Sequence, residues 1–203
     1  MDKNSIALGM RALCAADTDI ERAFPSLGDP PPRQRPAGFE TLVATIVSQQ
    51  IATQAARAIL QRVHDLLPQL TPSALLALDD QALRSAGLSL RKIEYAKGLA
   101  AAIVEGRFAM ERLEQLDDLA AIEQITALRG FGRWSAEIYL MFSLGRRDIF
   151  PADDLALRVA LGRLKGLTDK PTPAEARALT AHWAPWRSVG ALFLWHYYHG
   201  APA

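Results

Sequence analysis

Two adjacent carboxylates, Asp153 and Asp154, close the stretch of this 203-residue chain whose residue types and spacing best fit a chemical step. They follow Pro151-Ala152 and precede a helical run, so one of them is placed to cap a helix N-terminus. The helix dipole there favours an ionised carboxylate at neutral pH. Such a group, fixed where water is scarce, stabilises developing positive charge and can orient or deprotonate a water molecule. Residue chemistry leaves open which aspartate caps and which acts. Upstream, Leu128-Arg129-Gly130-Phe131-Gly132 reads as a hairpin between two helices. Two glycines around one apolar residue allow a tight turn with positive φ and the close approach of another backbone. Amides opening the following helix then point outward, where they can receive a phosphate. Phe131 would plug the turn onto the core. A bare Gly-x-Gly also fits an ordinary helix corner, and the length of the surrounding stretch, Leu128 to Asp154, carries the functional reading.

Far upstream, Val47 to Thr53 reads VSQQIAT, with Gln49-Gln50 in an apolar neighbourhood. By residue chemistry alone these glutamines lie on a solvent face or cap a break. Trp134 and Trp195, taken alone, are core aromatics.

The elements that must position these residues are all helical. Residues 3–16 form a short helix, and Ile20 to Phe24 a further turn. Residues 26–38, SLGDPPPRQRPAG, carry prolines and glycines enough for an irregular loop or linker. Phe39 to His64 has helix-spaced Leu42, Ile46, Ile59 and Val63, with a division at Thr53-Gln54. Thr71-Pro72 and Thr172-Pro173 each supply an N-cap followed by proline at the first helical position. Between them lie helices over Asp79–Ala86, Ser89–Glu105 and Leu116–Leu128; the last has Leu119, Ile122, Ile125 and Leu128 as its apolar face and Asp117 or Asp118 as its cap. Leu155–Leu164, Ala174–Trp183 and Val189–Tyr198 complete the set. No alternating β-branched run occurs. The expectation is an all-α protein of roughly ten helices with short connections.

Half of the residues are hydrophobic, 22% are charged and the net charge is +1, an ordinary globular balance that neither requires nor excludes nucleic acid. One cysteine, Cys14, excludes an intrachain disulfide and a four-cysteine zinc or iron-sulfur site. The N-terminus has no signal pattern and no apolar run spans a bilayer, so a monomer in the reducing cytoplasm, with no membrane partner, is expected.

Four segments in order, VSQQIAT, LRGFGRWSAEIYLMFSLG, DIFPADDLAL and APWRSVGALFLW, resemble the helix-hairpin-helix DNA glycosylases, and among them the alkylation-repair members of the DNA-3-methyladenine glycosylase II type in their compact form. The resemblance covers the chain from about Phe39 to its end. Arg129 departs from the proline that many relatives carry before the first hairpin glycine, and there is no room for the N-terminal β domain of larger relatives. The resemblance implies one glycosylase domain over residues 1–203, with helical lobes at 39–125 and at 1–38 plus 126–203 and the active-site cleft between them.

It also implies roles. Asp154 would be the catalytic carboxylate and Asp153 the helix cap. Trp134, Trp195, Ile138 and Tyr139 would form the base pocket, with Ile138 at a position that is aromatic in some relatives. Backbone amides near Gly130, Gly132 and Trp134, with the Ser135 hydroxyl, would hold a DNA phosphate, and Arg133, Arg146 and Arg147 could extend that footprint. Gln50 would fill the gap left by a flipped nucleotide, flanked by Ser48 and Gln49. Bifunctional relatives have a nucleophilic lysine where this chain has Trp134, so hydrolysis without strand cleavage is implied. No cofactor is required and no iron-sulfur cluster is expected. A structural sodium or potassium ion would bind the backbone carbonyls of Thr126, Leu128 and Phe131. The partner would be double-stranded DNA carrying alkylated bases. The competing readings are a noncatalytic DNA-binding module, a glycosylase for another lesion, and an all-α interaction scaffold.

Overall fold

A computed structural model describes residues 1–67 and 69–200, and every regular element among them is a helix. The α-helices are α1 (Lys3–Ala16), α2 (Thr18–Leu27), α3 (Phe39–Ser48), α4 (Thr53–Leu66), α5 (Pro72–Ala77), α6 (Asp80–Ser85), α7 (Leu90–Val104), α8 (Asp118–Thr126), α9 (Arg133–Phe142), α10 (Leu155–Leu164), α11 (Pro173–Leu179) and α12 (Arg187–Gly200). Short 3₁₀ turns at Met110–Glu114 and Ala181–Trp183 take the place of a loop and of the last turn expected for the helix before Trp183.

Local chemistry accounts for most boundaries. The hydroxyls of Thr71 and Ser89 and the carboxylate of Asp117 accept the amides of Ala74, Lys92 and Ala120. Thr172 forms a reciprocal capping box with Glu175, which lowers the Glu175 pKa through the Thr172 amide and hydroxyl. The long run from Phe39 divides at Gln49–Ala52, just before the expected Thr53-Gln54.

The chain forms two compact units, residues 36–136 and residues 1–35 with 137–203. One boundary lies in the proline-rich segment and the other inside α9. In the 36–136 unit, α3, α5 and α6 pack on α7 around Leu42, Ile46, Leu75, Leu83, Ile93 and Leu99. Leu119 is 65% exposed despite its helical spacing, because α8 buries Ala121, Ile122 and Ile125 instead. The hairpin belongs to this unit, whereas the grouping expected from sequence set it with Asp154. The reason is local: Gly130 seats on the Tyr95 ring of α7, and Arg129 pairs with Glu94.

In the other unit, α10 packs on α12, and α1 on α2 and α12, around Ile6, Met10, Leu13, Leu161 and Phe193. A buried ionic hub ties its distant segments together. Asp17 caps α2 and accepts hydrogen bonds from Lys165 Nζ (2.8 and 2.7 Å), His182 Nε2 (3.0 Å) and Trp183 Nε1 (2.7 Å). Burial alone would raise its pKa; the bonds from Lys165, Trp183 and His182, with the Lys165 charge, overcome it and bring the carboxyl down to about 2.

Candidate active site

Asp154, not Asp153, is the N-cap of α10. The helix begins at Leu155, so the residue just before it holds the cap geometry, and Asp154 Oδ1 accepts the Leu157 amide at 3.0 Å. The same oxygen accepts the Trp195 indole N–H at 3.3 Å. Asp153 is turned outward and pairs with Arg177 at 3.1 Å. The expected division of labour between the two aspartates therefore fails: one residue both caps the helix and presents the candidate carboxylate.

The loop that delivers Asp154 is fastened to the start of α12. Arg187 grips Asp148 in a two-pronged pair, Nε to Oδ1 and Nη2 to Oδ2, both 2.7 Å. Ser188 is fully buried; its hydroxyl accepts the Ile149 amide at 2.9 Å and donates to the Arg146 carbonyl at 2.8 Å. The sequence alone assigns no role to Asp148, Arg187 or Ser188. The one available signal was a charged and a hydroxyl residue side by side, opening an otherwise apolar helix. Arg147 lies over the Trp186 ring at 5.0 Å.

Trp195 is 9% exposed. The Phe142 ring lies 5.9 Å from it, and the Arg33 guanidinium stands 5.9 Å from its centroid. The surroundings that clamp the ring also aim its N–H at Asp154. Ile138 and Tyr139 are buried as well, so of the four expected pocket residues Trp134 is the exposed one, at 42%.

In the 36–136 unit the hairpin has one left-handed glycine, not two. Gly130 has φ of 94°, and a Cβ there would sit 2.4 Å from Tyr95 Cδ2. Gly132 has no positive φ, and a Cβ on it would meet nothing within 4 Å. Packing within the chain therefore does not demand a glycine at 132; its bare, exposed backbone opens α9, with Arg133 exposed and Ser135 buried beside it. Phe131 is buried, as expected for the plug. The Leu128 carbonyl, one of the three expected cation ligands, accepts the Phe131 amide at 3.2 Å. No cluster of three or more His, Cys, Asp or Glu suited to a metal occurs among the described residues.

The glutamine loop and the hairpin share an open cavity of about 750 Å³, lined by Ser48, Gln49, Gln50, Lys92, Tyr95, Gly130, Trp134 and Ser135. Gln50 is exposed and takes the left-handed conformation, φ 57°. The side-chain amide of Gln49 donates to the Gly130 carbonyl at 2.7 Å. Lys92 Nζ donates to the Val47 carbonyl at 2.7 Å, and burial lowers its pKa. Structure thus gathers the hairpin, the loop and Trp134 into one unit, and Asp154 with Trp195 into the other. No helix among the described residues is long and apolar enough to cross a membrane.

Comparison with known proteins gives the family. Residues 43–185 match the HhH-GPD superfamily of base excision DNA repair proteins. The chain is 35% identical over 163 residues to DNA-3-methyladenine glycosylase 1 of Schizosaccharomyces pombe, covering 77% of this chain and 71% of that protein. It spans 58% of a Bacillus subtilis relative to which it is 31% identical. Among solved structures, DNA-3-methyladenine glycosidase from Bacillus halodurans superposes with a TM-score of 0.86 at 32% identity, covering 94% of this chain and 89% of that one. The 3-methyladenine DNA glycosylase Mag1 of Schizosaccharomyces pombe, in complex with abasic DNA, gives 0.81 at 32% identity, covering 92% and 94%.

Proposed function

The chain belongs to the HhH-GPD superfamily of base excision DNA repair proteins, and on that premise we propose that it is a monofunctional DNA glycosylase that excises alkylated bases from duplex DNA. The observation that carries the reading is the Asp154 carboxylate, held still at a helix N-terminus by the Leu157 amide and the Trp195 indole.

The chemistry needs little more. Alkylation at a purine ring nitrogen makes the base cationic and a good leaving group. As the glycosidic bond breaks, its electron pair leaves with the base and positive charge grows on the sugar. A fixed carboxylate stabilises that charge without having to reorganise. A water oxygen then bonds to the sugar carbon and gives up a proton, for which Asp154 is the candidate acceptor. The products are a free base and an abasic site with an intact backbone. Strand cleavage through a Schiff base would need an amine, and Trp134 occupies the position where lysine-dependent relatives have theirs.

The remaining parts serve delivery. Gly132, with its open backbone at the head of α9, suits close approach by a phosphate, and Ser135 and Arg133 lie in the next turn. Exposed Gln50 suits the gap left by a flipped nucleotide, and the exposed Trp134 ring offers a π face to a cationic base. A monovalent ion on the carbonyls of Thr126, Leu128 and Phe131 would stiffen the hairpin; exchanging potassium for lithium would then weaken DNA binding. The test of the reading is release of free bases from methylated duplex DNA. Wild type should release them, Asp154→Asn should bind DNA but release almost none, and borohydride should trap no covalent adduct.

A further inference from the structure

We infer that Gln49 is a positioning residue that latches the glutamine loop to the hairpin, so that Gln50 is held ready to enter DNA; this rests on the glycosylase reading of the same site. The two glutamines are adjacent in sequence but do different things. Gln49 ends α3 with extended backbone angles (φ −61°, ψ 130°), and the chain then turns left-handed at Gln50, φ 57°. A residue with a Cβ adopts that conformation at an energetic cost and keeps it only where neighbours enforce it.

Gln49 Nε2 donates to the carbonyl of Gly130, 81 residues away, at 2.7 Å. Gly130 is itself closely packed, with Tyr95 pressed against the space a Cβ would fill. One residue before the loop's exposed part, the Val47 carbonyl is held by Lys92 Nζ at 2.7 Å. Lys92 and Tyr95 both lie on α7, so the loop and the hairpin are referenced to one rigid element. Gln50 is exposed and lines the open cavity that the loop and the hairpin share. A hairpin holding a phosphate and a side chain filling the vacated stack must keep a fixed separation, and the Gln49 latch sets it within the 36–136 unit. A side chain whose amide is spent on Gly130 acts through Gln50 rather than by touching DNA.

The experiment uses the full chain in an Asp154→Asn background, so that no base is lost. A duplex with 2-aminopurine beside a methylated base reports base opening as a rise in fluorescence. Gln49→Met keeps the side-chain length and removes the donor; Gln49→Asn keeps the donor but falls one methylene short. Each should shrink the opening equilibrium by about tenfold, the loss expected for one hydrogen bond, with the circular-dichroism melting curve little changed. The decisive readout is the double variant. Because Gln49 acts through Gln50, Gln49→Met with Gln50→Ala should open DNA no worse than Gln50→Ala alone. Opening by Gln49→Met at the parent level, losses that multiply in the double variant, or no fluorescence rise with the parent itself would each overturn the latch. Base release by the Asp154 enzyme is scored separately: its absence would sink the glycosylase reading, while a non-additive fluorescence result would leave the latch standing.

Discussion

Replacing Trp195 by phenylalanine separates the two things this residue does. The ring packs against Phe142 and beneath Arg33, both at 5.9 Å, while the indole N–H reaches Asp154 Oδ1 at 3.3 Å. Phenylalanine keeps an aromatic ring in that packing, but loses the N–H together with part of the indole's bulk. The bond is slightly longer than the usual range of about 2.7–3.2 Å, so its contribution falls below the roughly 1.5–3 kcal/mol of a well-made bond to a charged group. Taking about 1 kcal/mol gives about a fivefold loss in the chemical step. Trp195→Ala removes ring and N–H together and should cost about 3–5 kcal/mol of stability as well. The assay is single-turnover base release from methylated duplex DNA, with DNA affinity and thermal unfolding measured alongside. The expected pattern for Trp195→Phe is a slower step at unchanged affinity. An unchanged rate, or a loss confined to affinity, would refute the claim that the indole N–H orders the Asp154 carboxylate.

Asp17 should govern acid stability. Its pKa falls from the ordinary 3.8 to about 2 on folding, so its contribution is complete above about pH 4 and disappears as pH falls through about 2. Asp17→Asn should cost about 2–3 kcal/mol near neutrality, the scale of that pKa change, by removing one of the two carboxylates that hold Lys165, and denaturant unfolding curves for the two proteins should converge between pH 4 and pH 2. Gly130→Ala strains the left-handed position and drives a Cβ into Tyr95; a lowered melting temperature together with weaker DNA binding is expected. Asp153→Ala breaks only a half-exposed pair with Arg177 and should cost about 1 kcal/mol of stability or less, with base release within about twofold of wild type. A loss like that of Asp154→Asn would restore Asp153 to the chemistry.

Much of this architecture is written in local signals. Thr71-Pro72, Thr172-Pro173, Ser89 and Asp117 mark helix starts because each cap is satisfied within three residues. The hairpin and the paired aspartates are similarly compact. What the sequence hides depends on partners far along the chain. Asp17 meets Lys165 and Trp183 at separations of 148 and 166 residues, and Gln49 meets Gly130 at 81. No periodicity encodes such pairs. The choice between Asp153 and Asp154 as cap turned on one residue in the helix start, a margin that propensity does not resolve. Leu119 illustrates the same limit: helical spacing shows which residues share a face, not whether a neighbour covers it.

The central claim is that one carboxylate both starts α10 and drives base release. Asparagine caps helices as well as aspartate does, so Asp154→Asn keeps the Leu157 bond and removes only the charge. The direct measurement is single-turnover release of alkylated bases from methylated duplex DNA by the two proteins, matched for melting temperature and DNA affinity. The account predicts release by the wild type and a loss of at least about a hundredfold in the variant, the scale on which a fixed stabilising group acts. Near-equal release by a folded, DNA-binding Asp154→Asn protein would contradict it.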